Sequence, residues 1–170
     1  MTPPRFFGLL LIPALLVAGI LWLGASGDKA DKPEATETSA AHANWLTDFS
    51  VAKQQSADNG KPILLFFTGS DWCPPCIRMK ERVLNTEEFA DFAKEHLVLV
   101  ELDFPRRTEI DADLEKRNRA MADEYEIAGF PTFILVQEEG KELARFSGFR
   151  RGGIASLIQW VEDAQTAQAH

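Results

Sequence analysis

The tightest constraint on this chain is Ile63-Leu-Leu-Phe-Phe67, an unbroken apolar run that leads through Thr68-Gly-Ser-Asp71 into Trp72-Cys73-Pro74-Pro75-Cys76. An apolar run of strand length with no polar alternation suits a strand covered on both faces. Residues Ile77 to Val83 then read as helix, so the C-x-x-C pair falls at a strand-to-helix junction. These are the only two cysteines in the sequence.

Regular patterning begins at Asn44. Trp45, Leu46, Phe49, Val51 and Ala52 suggest an amphipathic helix stopped by Asn59-Gly60. Thr86-Glu-Glu-Phe89 has the form of a capped helix start, with the helix running to about His96. Leu97 to Leu102 reads as a second strand, Asp111 to Tyr125 as a surface helix and Thr132 to Val136 as a third strand. Lys141 to Ser147 forms a hairpin with the third strand across Glu139-Gly140. Ile154, Leu157, Ile158 and Val161 mark a last amphipathic helix. Strands joined through helices should be parallel and the hairpin antiparallel. The expected fold class is therefore α/β, a mixed four-stranded central sheet flanked by helices.

Ahead of this domain (44–168), Arg5 precedes the uncharged stretch Phe6–Gly27. Its length approaches the roughly 20 apolar residues of a membrane span. Pro13 and the small residues Ala25-Ser26-Gly27 fit a cleaved signal peptide as well. Residues 1–27 are thus read as a signal anchor or signal peptide, with the membrane contact through residues 6–24 if uncleaved. Either reading places the domain outside the cytoplasm, in the cell envelope. Residues 28–43 have no large apolar side chain and read as a flexible linker. The net charge of −8 argues against nucleic acid as a partner.

A C-x-x-C pair has three chemical readings. Zinc needs four ligands, and His42, His96 and His170 form no second paired motif, so no metal is expected. A purely structural disulfide over so short a loop removes little chain entropy. Redox exchange fits the junction: Cys73 at the helix start is the candidate nucleophile, and Cys76, one turn in, the resolving thiol of a Cys73–Cys76 redox disulfide. No phosphate loop or dinucleotide motif is present, so no cofactor is expected and reducing equivalents must come from a redox partner.

With Ile63–Phe67, Asp71-Trp72-Cys73-Pro74-Pro75-Cys76 and Gly129-Phe130-Pro131-Thr132 in this order, the sequence resembles the thioredoxin superfamily, and its envelope branch in particular. The resemblance implies a thioredoxin-like fold and a thiol-disulfide oxidoreductase acting on protein thiols and disulfides. It implies that Pro131 is cis, that Phe130 and Trp72 contact substrate, and that Gly148 lies near the substrate groove. A thioredoxin-like client-binding module or a metal chaperone without turnover is the alternative.

Three departures from that family stand out. The strand before the motif lacks the usual buried acid. Glu101, in the neighbouring strand, is a candidate proton acceptor for Cys76, the alternative being a solvated strand end. Pro74 has no N–H to offer a Cys73 thiolate, and Asp71 adds unfavourable charge against Arg78, so a reducing couple is expected. The segment Phe104 to Glu124, with Pro105-Arg106-Arg107, is either a partner-docking element or a solvated insertion.

Overall fold

The computed structural model describes residues 42–167. The readings made on residues 1–27 and on most of the 28–43 linker lie outside the described residues. Among the described residues, no helix is long and apolar enough to cross a membrane.

The elements run β1 (Trp45–Leu46), α1 (Phe49–Asn59), β2 (Ile63–Thr68), α2 (Pro74–Met79), α3 (Glu87–His96), β3 (Val98–Asp103), α4 (Ala112–Glu124), β4 (Thr132–Val136), β5 (Glu142–Ser147) and α5 (Gly153–Thr166). A π-helical turn, Lys80–Leu84, extends α2. The sheet has the order β1-β3-β2-β4-β5. β2 pairs parallel with β3 and antiparallel with β4, and β5 closes a hairpin on β4.

The expected sheet had four strands; it has five. The missed strand is Trp45–Leu46, which pairs parallel with Leu99 and Val100 of β3. The apolar pattern alone places both residues in the first helix. Two residues show no period of their own, but their packing reveals the strand. Trp45 joins the core on one face of the sheet and Leu46 the core on the other, as successive strand residues must. α1 therefore starts later, at an Asp48 cap whose carboxylate accepts from the Ser50 amide at 2.8 Å. Val51, counted as part of the apolar stripe, is exposed, and Ala52 and Ser56 are the buried residues of that helix. Its end is as expected: Gly60, at φ 72°, closes the last turn by donating to Ser56 O.

The sheet divides two cores. Leu64, Phe66, Leu99 and Phe133 face Met79 of α2 and Val83 and Leu84 of the π-helical turn, with Phe89 of α3 and Leu157 and Val161 of α5. Ile63, Leu65, Phe67, Val98 and Val100 face Ala52, Met121 and Tyr125 on the other side. All six residues of β2 are buried, which is why that strand shows no alternation. Phe66 and Phe133 stack at 4.6 Å between ring centroids, and Trp45 packs on Phe66 and Phe89. The consequence for function is placement: β2 ends at Thr68, and the next residues must leave a fully covered strand and enter α2 at the sheet's rim.

Candidate active site

Cys73 is the residue that caps α2, with extended backbone (φ −100°, ψ 98°), and Pro74 and Pro75 occupy the first two helical positions. Proline suits those positions because their amides have no partner inside the helix. Cys73 and Cys76 are joined in a disulfide with their Cα atoms 5.3 Å apart. Both are nearly excluded from solvent, at 3% and 1% exposure, so a partner thiolate has only a narrow approach to the sulfurs.

The prolines have a further effect at this helix start. Side chains at a cap position accept from the second or third amide of the helix. Pro75 removes the second, and the third, that of Cys76, donates to Cys73 O at 3.0 Å. The Ile77 amide donates to the same carbonyl at 3.1 Å. No amide of the first turn is left to donate to a sulfur at Cys73.

Trp72 is wedged at the mouth of this junction. Its Nε1 donates to Phe104 O at 2.7 Å, and its ring meets that of Phe130 edge-on at 5.8 Å. Phe104 packs on Phe130 from the other side at 5.1 Å. Because Trp72 adjoins Cys73 and Phe130 adjoins Pro131, this contact brings the two motif loops together. The Phe130–Pro131 peptide bond is cis. Gly148, at φ 84°, donates its amide to Pro131 O at 2.8 Å, which ties the end of β5 to the same loop. Trp72 can lie this close only because residue 69 is glycine: a Cβ there would stand 2.5 Å from the indole.

Two carboxylates behave differently from their sequence reading. Asp71 does not turn toward Cys73. Its oxygens accept from the backbone amides of Arg106, Arg107 and Thr108 at 2.7–3.2 Å, and these bonds, that of Arg106 first, lower its pKa below the usual aspartate value. Its charge is committed to the loop, which weakens the argument that it opposes a thiolate. Glu101 is not a solvated strand end. Its side chain is 16% exposed and accepts from Lys80 Nζ at 2.6 Å. Glu101 pairs with Phe66 across β2 and β3 and so shares the sheet face that carries α2. Lys80 lies four residues beyond Cys76, one turn along the same helical run.

The site thus brings Trp72, Cys73, Cys76, Phe130 and Pro131 into one rim and places Glu101 below the helix. The sequence reading missed Lys80, which the four-residue spacing from Cys76 could have suggested. It also missed Gly69, Phe104 and the Arg106 contact with Trp72, which no local pattern announces. Asp103, likewise missed, accepts from the Ser70 amide at 2.9 Å and from Ser70 Oγ at 2.5 Å, holding the exit of β2.

A dithiol–disulfide pair at the start of a helix, set on a mixed sheet beside a cis-proline loop, defines a protein of the thioredoxin-like class. Comparison with known proteins agrees. Residues 49–165 match the family model of the thioredoxin-like domain. The disulfide bond reductase DsbH of Chlamydia pneumoniae is 38% identical over 140 residues, covering 82% of each chain. A solved DsbH oxidoreductase superposes with a TM-score of 0.69 at 36% identity, covering 83% of this chain and 94% of its own. A Thermus thermophilus thioredoxin shares the fold at a TM-score of 0.55 and 20% identity, over 72% of this chain and 86% of its own. The chain belongs to the thioredoxin-like family and is a thiol-disulfide oxidoreductase.

Proposed function

We propose that this protein reduces protein disulfides outside the cytoplasm, held at the membrane through residues 6–24 or released if residues 1–27 are cleaved. The observation that carries the direction is the proline pair after Cys73, which leaves no first-turn amide free to stabilise a thiolate there. A less stabilised thiolate means a less stable reduced form, which gives up its electrons more readily. The relative described as a disulfide bond reductase supports the same direction.

In this reading the Cys73 thiolate attacks one sulfur of the client disulfide. A mixed disulfide forms and the client's other sulfur leaves as thiolate. Cys76, deprotonated, then attacks Cys73 Sγ, the mixed disulfide breaks and the client's second thiol is released. Two electrons pass from the dithiol to the client, and a dithiol partner restores the reduced pair. Trp72, Phe130 and Pro131 line the approach to Cys73 and bind the client chain. Glu101 takes the Cys76 proton, with Lys80 holding the carboxylate in place.

Trapping tests the reading. Cys76→Ser should accumulate mixed disulfides through Cys73 with envelope proteins, and Cys73→Ser should accumulate none. Equilibration with glutathione tests the direction: a potential in the range of strong oxidants, about −120 mV, would refute it.

A further inference from the structure

Arg106 sits on the site rather than beside it. Its guanidinium carbon lies 3.5 Å from the centroid of the Trp72 ring. Stacked there, the group spends its face on the indole and keeps its edge, with the N–H donors, turned elsewhere. Among the described residues those donors meet no acceptor, whereas the guanidiniums of Arg119 and Arg145 are paired with Glu115 and Glu142. The loop beneath is fixed from two sides. Asp71 binds the three consecutive amides of residues 106–108, and Trp72 Nε1 binds Phe104 O. A long side chain held by stacking on a pinned loop has lost most of its freedom before any ligand arrives.

We infer that Arg106 is a specificity residue that accepts a carboxylate flanking the client's disulfide, so that acidic client segments are preferred. This rests on the proposed reduction of protein disulfides at Cys73. Arg106 stacks on Trp72, the neighbour of Cys73, and Trp72 meets Phe130, the neighbour of Pro131, so a client segment that reaches Cys73 across the indole comes within reach of the guanidinium. A planar fork favours a bidentate carboxylate over other acceptors. Long-range attraction plays little part: Asp71 is bound to the loop that carries Arg106 and Arg107, Glu109 follows in that loop, and the chain carries −8 overall. Selectivity should therefore appear in KM, at contact distance.

The probes are three synthetic peptides with one intrachain disulfide, flanked by Glu, Gln or Lys. The wild-type protein should reduce the Glu peptide with about tenfold higher kcat/KM than the Lys peptide, most of it in KM. Arg106→Gln should bring that ratio to about twofold. Arg107→Gln removes the same charge from the same loop without touching the stacked group, and should leave the ratio near its wild-type value. A wild-type ratio near one, an unmoved ratio in Arg106→Gln, or an equal collapse in Arg107→Gln would overturn the inference. Absence of cysteine-dependent turnover of the Gln peptide would overturn the reduction reading along with it, whereas turnover with an unmoved ratio overturns this inference alone.

Discussion

Restoring one amide over Cys73 should change its chemistry by a calculable amount. In Pro75→Ala the second helical position regains its N–H, the donor that a cap side chain accepts from. The starting count of free donors is zero, because the Cys76 and Ile77 amides are bound to Cys73 O. Cys73 is nearly fully buried in the oxidised structure, so a new bond to its thiolate forms where water competes poorly. A hydrogen bond to a charged group is worth about 1.5–3 kcal/mol. At 1.36 kcal/mol per unit this lowers the Cys73 pKa by roughly one to two units. Stabilising the reduced form by the same amount raises the reduction potential by about 30–60 mV, since 30 mV corresponds to about 1.4 kcal/mol. The pKa is read from the pH dependence of alkylation in the Cys76→Ser background, and the potential from glutathione equilibration of the two-cysteine protein. Pro74→Ala restores the first amide, which does not reach the cap side chain, and should move both quantities less. A shift in Pro75→Ala below about 10 mV, or one toward a more reducing potential, would refute the argument that missing donors set the direction.

Glu101→Gln should alter the pH dependence of disulfide exchange at the resolving step; an unchanged profile would remove Glu101 as proton acceptor. Asp71 has a folded pKa lowered by the amides of residues 106–108, so its clamp on the loop is in place above the ordinary aspartate pKa and is lost as pH falls through the lowered value. Acid titration should therefore release Trp72 from Arg106, seen as a change in tryptophan fluorescence, and Asp71→Ala should show the released signal at neutral pH. Gly69→Ala must displace the indole, because its Cβ would stand 2.5 Å from the ring, and should disturb the rim while the sheet folds normally by circular dichroism. Phe66→Ala, which removes a fully buried ring stacked on Phe133, should cost about 3–5 kcal/mol in denaturant unfolding; a loss under about 1 kcal/mol would mean the stack is not central to the core.

Much of the fold was legible because its signals are local. The covered strand at Ile63–Phe67, the Thr86 cap, the Gly60 stop and the hairpin after Val136 each depend on a few neighbouring residues, and each stands close to its expected place. Trp45–Leu46 was misread because two alternating residues next to a helix imitate its apolar stripe. Only pairing with Leu99 and Val100 makes them a strand. Buried Asn118, in a helix read as a surface one, makes sense only because its Nδ2 donates to Asp103 O at 2.9 Å.

The candidate site divides in the same way. The seat of Cys73 and Cys76 at a strand-to-helix junction and the lack of amides at Pro74 and Pro75 follow from residue type and spacing, because a proline lacks its N–H in any fold; that the donor missing at the cap is the one at Pro75 follows from the position of Cys73. The partners of the charged groups do not. Asp71 was expected to act on Cys73 next door, yet it binds amides more than thirty positions along the chain. Glu101 meets Lys80 across 21 positions, and Arg106 lies over Trp72, again more than thirty positions away. Hydrogen bonds and ion pairs are short-ranged and directional, so which acceptor meets which donor is settled only when distant segments pack. The sequence by itself determined that this chain would carry a dithiol pair at the exit of a buried strand. The tertiary structure decided which partners the charged groups around that pair meet: Asp71 the loop amides, Glu101 the ammonium of Lys80, Arg106 the face of Trp72.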